Sequence, residues 1–153
     1  MAAIERLTTH DAERLRTIRL RALQDAPDAY SATYEETAAR PPESWRRQID
    51  ELATFAAVEE GCDLGLVRCR RHESLADAAD LLSLWVAPEA RGRGIGMALI
   101  DTVADWARSA GLLRLVLEVR LHNAHALALY TRAGFVPTGK QQVPGEIQLT
   151  RRL

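Results

Sequence analysis

The chain has a single lysine among its 20 basic residues; the other 19 are arginine. A phosphate loop of the G-x-x-x-x-G-K-[ST] type needs a lysine at the start of its helix, and no lysine precedes Lys140, so that class is excluded. Cysteine is almost as scarce. Cys62 and Cys69 lie seven apart with no Cys-x-x-Cys pair, and they read as two small buried or half-buried apolar residues on one strand, not as a disulfide or metal site. No apolar run approaches the roughly 18 residues that a membrane crossing needs. The opening MAAIERLTTHDAERL has no basic stretch followed by an apolar one, so no signal peptide is expected. These absences point to a cytoplasmic chain that does not engage a membrane. Repeats, low-complexity tracts and a dividing linker are also missing, so residues 1–153 read as one domain, long enough to bury a core.

A charge excess is lacking too. The net charge of −1 argues against a nucleic-acid partner, which normally meets a basic surplus. Its distribution is uneven, however. Residues 1–90 hold 11 Arg against 17 Asp and Glu, a balance of −6, while residues 91–153 hold 9 Arg and Lys against 4 Asp and Glu, a balance of +5. The second half suits an anion.

The apolar spacing predicts a mixed α/β sheet. AIERL alternates as a strand, and Thr8 or Thr9 can cap a helix over about 11–24 whose Leu15, Ile18, Ala22 and Leu23 share a face. DAPDAYSATYEETAARPP reads as a loop or broken helix, and Pro42 opens a second helix carrying Trp45, Ile49 and Leu52. ATFAAV and LGLVRCR form a hairpin across EEGCD, and LLSLWV (81–86) is a central strand. A helix over 95–110 presents Ile95, Leu99, Val103, Trp106 and Ala110, with Gly111 closing it. It joins strand 81–86 to a parallel strand over 113–119. NAHALALYTRA is a helix capped by Asn123 and closed by Gly134, and one or two strands finish the chain.

Between strand 81–86 and helix 95–110 stands VAPEARGRGIGMALI, with three glycines at alternate positions and two arginines. Glycine allows positive φ and close approach, and arginine and a helix N-terminus both attract anions, so a phosphate is the expected tenant. A dinucleotide fingerprint G-x-G-x-x-G fails, because its third glycine would fall on Met97 or Leu99. What remains is R-x-x-G-x-G from Arg91 to Gly96, whose backbone N–H groups over 92–97 can converge on one point.

A second pattern, N-x-x-A-x-x-L-Y-x-x-x-G-F, occurs at Asn123, Ala126, Leu129, Tyr130, Gly134 and Phe135. Taken with SLWVAPEARGRGIG, it resembles the GCN5-related N-acetyltransferase (GNAT) superfamily. The strong resemblance covers residues 80–136, as an acetyl-CoA-binding core; RALQDAPDAYSATYEE more weakly resembles the acceptor-side segment, placed within about residues 1–79. The resemblance implies a sheet whose central parallel strands splay apart. It implies acetyl-CoA as co-substrate, with the pyrophosphate on the amides of Gly92, Arg93, Gly94, Ile95, Gly96 and Met97 beside Arg91. The pantetheine arm would lie on the backbone of Leu84, Trp85 and Val86, with Asn123 contacting the cofactor or capping its helix.

Direct transfer to an amine needs a base for the ammonium and an acid for the departing thiolate. Tyr130 is the acid candidate, since a phenol keeps its proton at neutral pH. Many relatives carry a glutamate on the strand before the glycine loop, and LLSLWV has none. Glu118, five residues before Asn123, is the best substitute, an ion pair with an arginine being its bland alternative. Glu146, Asp80 and His122 stand in reserve. His122 and His125 lack a third ligand, so no metal is expected. Asp28, Glu35 and Glu36, in a segment without basic residues, favour a cationic small amine as acceptor. A protein or peptide amine, or a non-catalytic acetyl-CoA-binding module, is the alternative. A homodimer is left open.

Overall fold

A computed structural model describes all residues 1–153. The chain runs β1 (Ala3–Arg6), α1 (Ala12–Asp25), α2 (Tyr34–Ala38), α3 (Pro42–Glu51), β2 (Ala53–Glu59), β3 (Cys62–Arg71), β4 (Ala78–Val86), α4 (Ile95–Ser109), β5 (Arg114–Arg120), α5 (Ala124–Arg132), β6 (Val136–Pro137) and β7 (Glu146–Arg152). The segment read as a loop or broken helix is a 3-10 turn at Pro27–Ala29 followed by the short α2. The two closing strands are β6 and β7.

Seven strands form one sheet in the order β1-β2-β3-β4-β5-β7-β6. All neighbours are antiparallel except β4 and β5, as a helical crossover between them requires. β2 and β3 join through only two residues, Glu60 at φ +50° and Gly61 at φ +75°. Positive φ at both positions matches the twist of a tight hairpin, so β3 starts at Cys62, inside the stretch read as the turn. Cys62 at that end is exposed, against expectation, because it flanks the turn and not the core. Cys69 is fully buried, and burial pushes its thiol up to about 12, which leaves it a packing residue.

The helices pack on both faces. In α1 the predicted Leu15, Ile18, Ala22 and Leu23 are buried, and Arg19 is buried with them. α4 buries Leu99, Ile100, Val103, Ala104 and Ala107. Its stripe is rotated slightly from the one expected, leaving Trp106 half-buried, because the alanines let the helix lie close to the sheet. A Cβ on Gly65 would come within 3.1 Å of Leu99 and 3.4 Å of Ile95, so the odd-numbered side of β3 faces α4. By alternation Arg68, Arg70 and His72 project to the other side, where Gln48 of α3 meets Arg68. Leu113 is 63% exposed, so β5 begins one residue later than read.

The feature that positions everything else is a fork. β4 and β5 pair only at Ala78↔Arg114, Ala79↔Leu115 and Asp80↔Val116. Beyond that point β4 stays paired with β3 and β5 with β7, and the two parallel strands separate, as the splayed sheet requires. A bulge sharpens the divergence. Leu66 faces Trp85 but Arg68 faces Leu82, so β4 holds one extra residue there, with Ser83 at φ +59°. Arg68 donates from Nε and Nη2 to Ser83 Oγ at 3.0 and 2.9 Å, and so holds the bulge.

Candidate functional site

The glycine run ends the turn after β4. Gly92 and Gly94 have φ of +78° and +81°, with Gly94 at the N-cap of α4. Left-handed residues at alternate positions turn successive N–H groups to one side of the chain. None of the six N–H groups from Gly92 to Met97 donates to an acceptor in the protein; the first bonded amide is that of Ala98, to Gly94. Six unsatisfied donors at a helix N-terminus form a cradle for a diphosphate-like anion. The arginine side chains do not contribute to it. Arg91 donates to the Asp25 carboxylate and, through Nε, to the Val86 carbonyl at 3.1 Å, while Arg93 pairs with Glu59 at 2.5 Å. A Cβ on Gly96 would lie 2.9 Å from a methyl at the end of the Leu129 side chain, which marks a close approach of α4 to α5. The first turn of α4 thus sits against α5 at the open end of the fork.

Asn123 caps α5, its side chain accepting from the Ala126 N–H at 3.2 Å. This cap fixes the helix that carries Tyr130, which is 7% exposed and meets Phe135 edge-on at 5.6 Å. Burial raises the Tyr130 phenol well above its ordinary value, and the nearby Tyr30 phenol adds to the shift. Tyr30 comes from the turn after α1. Its hydroxyl donates to the Leu84 carbonyl at 3.0 Å, and burial pushes its own phenol up to about 12. The Tyr30 phenol thus reaches the outer edge of β4, with the Tyr130 phenol close enough to feel it. The Trp85 indole points away from that edge, donating to Asp25 at 3.0 Å beneath the Arg21 guanidinium.

On the face opposite α4, a cavity of about 250 Å³ opens at the crotch of the fork. Arg70, His72, Asp80, Leu82 and Glu118 line it. The two carboxylates differ. Asp80 accepts from Arg70 Nε at 3.1 Å and faces His72 Nε2 at 3.7 Å. His72 Nδ1 accepts from the Ser74 and Leu75 N–H groups at 3.0 and 3.1 Å, which assigns its proton to Nε2, towards Asp80. Glu118 has no arginine partner. It accepts only from Gln148 Nε2 at 3.0 Å, and Gln148 is oriented by Thr138 Oγ1, which donates to Gln148 Oε1 at 2.8 Å. Of the two, Glu118 is the carboxylate without a cationic partner.

Asp28, Glu35 and Glu36 are exposed, pair with no cation and do not line the cavity. His122 and His125 are exposed on and before α5. The sequence reading missed Tyr30 and the Asp25 clamp, and it held Asp80 in reserve without its partners Arg70 and His72. Tyr30 stands in the segment singled out as acceptor-side, but contacts across 54 and 60 residues leave no local pattern. No helix is long and apolar enough to cross a membrane.

The acetyltransferase (GNAT) family model matches residues 15–135. An uncharacterized N-acetyltransferase of Methanocaldococcus jannaschii is 30% identical over 113 residues, covering 71% of this chain and 49% of that protein. A mycothiol acetyltransferase of Beutenbergia cavernae is 34% identical over 119 residues, covering 76% of this chain and 38% of that protein. The chain thus spans about half of the first relative and less of the second. The structure of the PaiA N-acetyltransferase from Thermoplasma acidophilum in complex with coenzyme A superposes with a TM-score of 0.81 at 20% identity, covering 100% of this chain and 99% of that one. With its forked sheet, its unsatisfied amide cradle and a family match running from α1 to Phe135, this chain belongs to the acetyltransferase (GNAT) family.

Proposed function

We propose that the chain transfers an acetyl group from acetyl-CoA directly to a small primary amine, which arrives as its cationic ammonium. The observation that carries this reading is the row of six unpaired amides from Gly92 to Met97 at the mouth of the fork. Such a cradle suits the pyrophosphate of coenzyme A, and the neighbour solved with coenzyme A supports the same tenant. When bound, acetyl-CoA supplies an activated thioester. The unpaired edge of Leu84, Trp85 and Val86 offers backbone groups to the arm and to the thioester carbonyl, an oxyanion-type contact.

The chain's own residues then move two protons. Glu118 takes one from the ammonium, so that the amine attacks; the C–N bond forms and the C–S bond breaks. Tyr130 gives its phenolic proton to the departing sulfur, and the second proton lost by the acylated nitrogen restores that phenol. Asn123 keeps α5, and with it Tyr130, in place. Glu118→Gln is expected to remove the acidic limb of the pH–rate profile, because the amide cannot accept the proton whatever the pH. An unchanged limb with lowered stability would return Glu118 to a purely structural part.

Release of thiol from acetyl-CoA, followed over amines and peptide N-termini, tests the whole reading. Turnover with small amines supports it. Turnover with peptide amines alone would favour the second reading, to which Glu118 lends weight by its place on β5. Coenzyme A binding with no turnover on any amine would leave a non-catalytic binding module.

A further inference from the structure

Beside the bulge in β4 lie two buried guanidinium groups that no carboxylate neutralises. Arg19 is 6% exposed and Arg68 is 8% exposed, and neither takes part in an ion pair. Arg68 spends its donors on neutral oxygens, Ser83 Oγ and Gln48 Oε1, the latter at 2.8 Å. The other charges that act on it, those of Arg19 and Arg40, are cationic as well. Arg19 is worse provided. Its Nη1 is buried with no hydrogen-bond partner, and its plane lies under the Tyr30 ring at 5.2 Å. Arg120 reaches the same place from β5, donating to the Tyr30 carbonyl at 3.3 Å with its own Nε buried and unpartnered.

Desolvating a charge without a counter-charge costs several kcal/mol, and desolvation here depresses the basicity of both residues, bringing Arg68 down to about 9. Arg68 also performs a structural task, holding Ser83; the only partner of the Arg19 charge is the face of the Tyr30 ring, which leaves its Nη1 without a hydrogen bond. Arg19 shares the buried face of α1 with Leu15 and Leu23, one turn away on either side, where an apolar residue would pack without cost. A buried, unsatisfied cation beside a reaction site is the arrangement expected where a ligand brings the missing anion.

We propose that Arg19 and Arg68 form a carboxylate-binding subsite, and that the acceptor is a small primary amine bearing a carboxylate, as an amino acid does. The inference rests on the acetyltransferase reading and extends it. Arg68 projects on the same side of β3 as Arg70 and His72 and pairs in register with Leu82, and these three line the cavity that holds Glu118 and Asp80, so the Arg68 end of the subsite lies one step along the strands from it. The ammonium meets the carboxylates of the cavity and the acceptor's carboxylate meets the arginines under Tyr30. Asp28, Glu35 and Glu36, which alone favoured a purely cationic acceptor, are exposed and line no part of the cavity.

Matched pairs test this. The common α-amino acids and β-alanine, each against its own carboxamide, are compared by kcat/KM for thiol release from acetyl-CoA. The carboxylate member is expected to lead by roughly ten- to a hundredfold, the range of a charge-assisted hydrogen-bond pair. In Arg19→Met that preference collapses while KM for acetyl-CoA holds. The melting temperature of this variant rises or stays level, since a buried unpaired charge has been removed. Equal or better turnover of the carboxamides by the wild type, or an unchanged preference in Arg19→Met, overturns the proposal. A binding arm separates the two readings. N-acetylglycine and N-acetylglycinamide are titrated calorimetrically into wild type and Arg19→Met. If no amine is acetylated, the transferase reading fails; the subsite stands only if the carboxylate binds, the amide does not, and Arg19→Met loses the difference.

Discussion

Tyr130→Phe is expected to lower kcat by roughly a hundred- to a thousandfold while affinity for coenzyme A stays near the wild-type value. The substitution removes one oxygen and keeps the ring, so the edge-on contact with Phe135 at 5.6 Å and the packing of α5 survive. The hydroxyl makes no hydrogen bond within the protein whose loss could unsettle the fold. In the proposed reaction its use is to deliver a proton. Burial and the neighbouring Tyr30 raise this phenol above its ordinary value, so the protonated form persists well into alkaline solution. A fall in rate at high pH in the wild type therefore does not come from Tyr130. The variant keeps the wild-type pH at which the acidic limb begins, because Glu118 is untouched. Steady-state rates across pH, with calorimetric titration of coenzyme A, measure both quantities. Wild-type turnover in Tyr130→Phe would reduce Tyr130 to a core aromatic.

Gly94→Leu is expected to weaken coenzyme A binding by at least about a hundredfold, which is the loss of several backbone contacts of roughly 1 kcal/mol or more each. A Cβ at Gly94 meets nothing within 4 Å in the free protein, so any steric effect of the leucine falls on a ligand held by the loop and not on the protein. The residue also has φ of +81°, and a non-glycine there costs about 1–2 kcal/mol of strain. That cost needs its own control, and α4 provides one. Gly111, past the other end of the same helix, has φ of +76° and equally open surroundings. Gly111→Leu should lose similar stability in thermal melts and none of the coenzyme A affinity. Equal affinities in the two variants would dissociate the cradle from the cofactor. Arg93→Ala should weaken binding only slightly, since its side chain is engaged with Glu59 and not with the loop amides.

Much of the cofactor half could be read directly along the chain. Helix caps, glycine stops and apolar periods are local, acting within one or two turns, so α4, α5 and the strands that flank them followed from their own residues. The anion cradle was equally legible, because a run of amides is made by consecutive residues and glycine states the backbone conformation. The departures were small and local in cause. The buried stripe of α4 turned to place its alanines on the sheet, and Cys62 fell beside a two-residue turn and not in the core.

The acceptor half was not legible in this way. The acidic stretch around Asp28, Glu35 and Glu36 is conspicuous in the sequence, but those side chains face solvent. Arg19 looks like one more polar residue of α1, and only tertiary packing buries it, with its guanidinium against the Tyr30 ring. Whether Glu118 meets an arginine or a glutamine depends on the register of β5 against β7, which pairs it with Gln148. The sequence by itself determined the elements, their order and the amide cradle, because each arises from neighbouring residues. The tertiary structure alone decided where β4 and β5 part, which carboxylate is left free and which charges are buried without partners. Those outcomes are set by contacts between distant segments, whose energies depend on burial and not on local pattern.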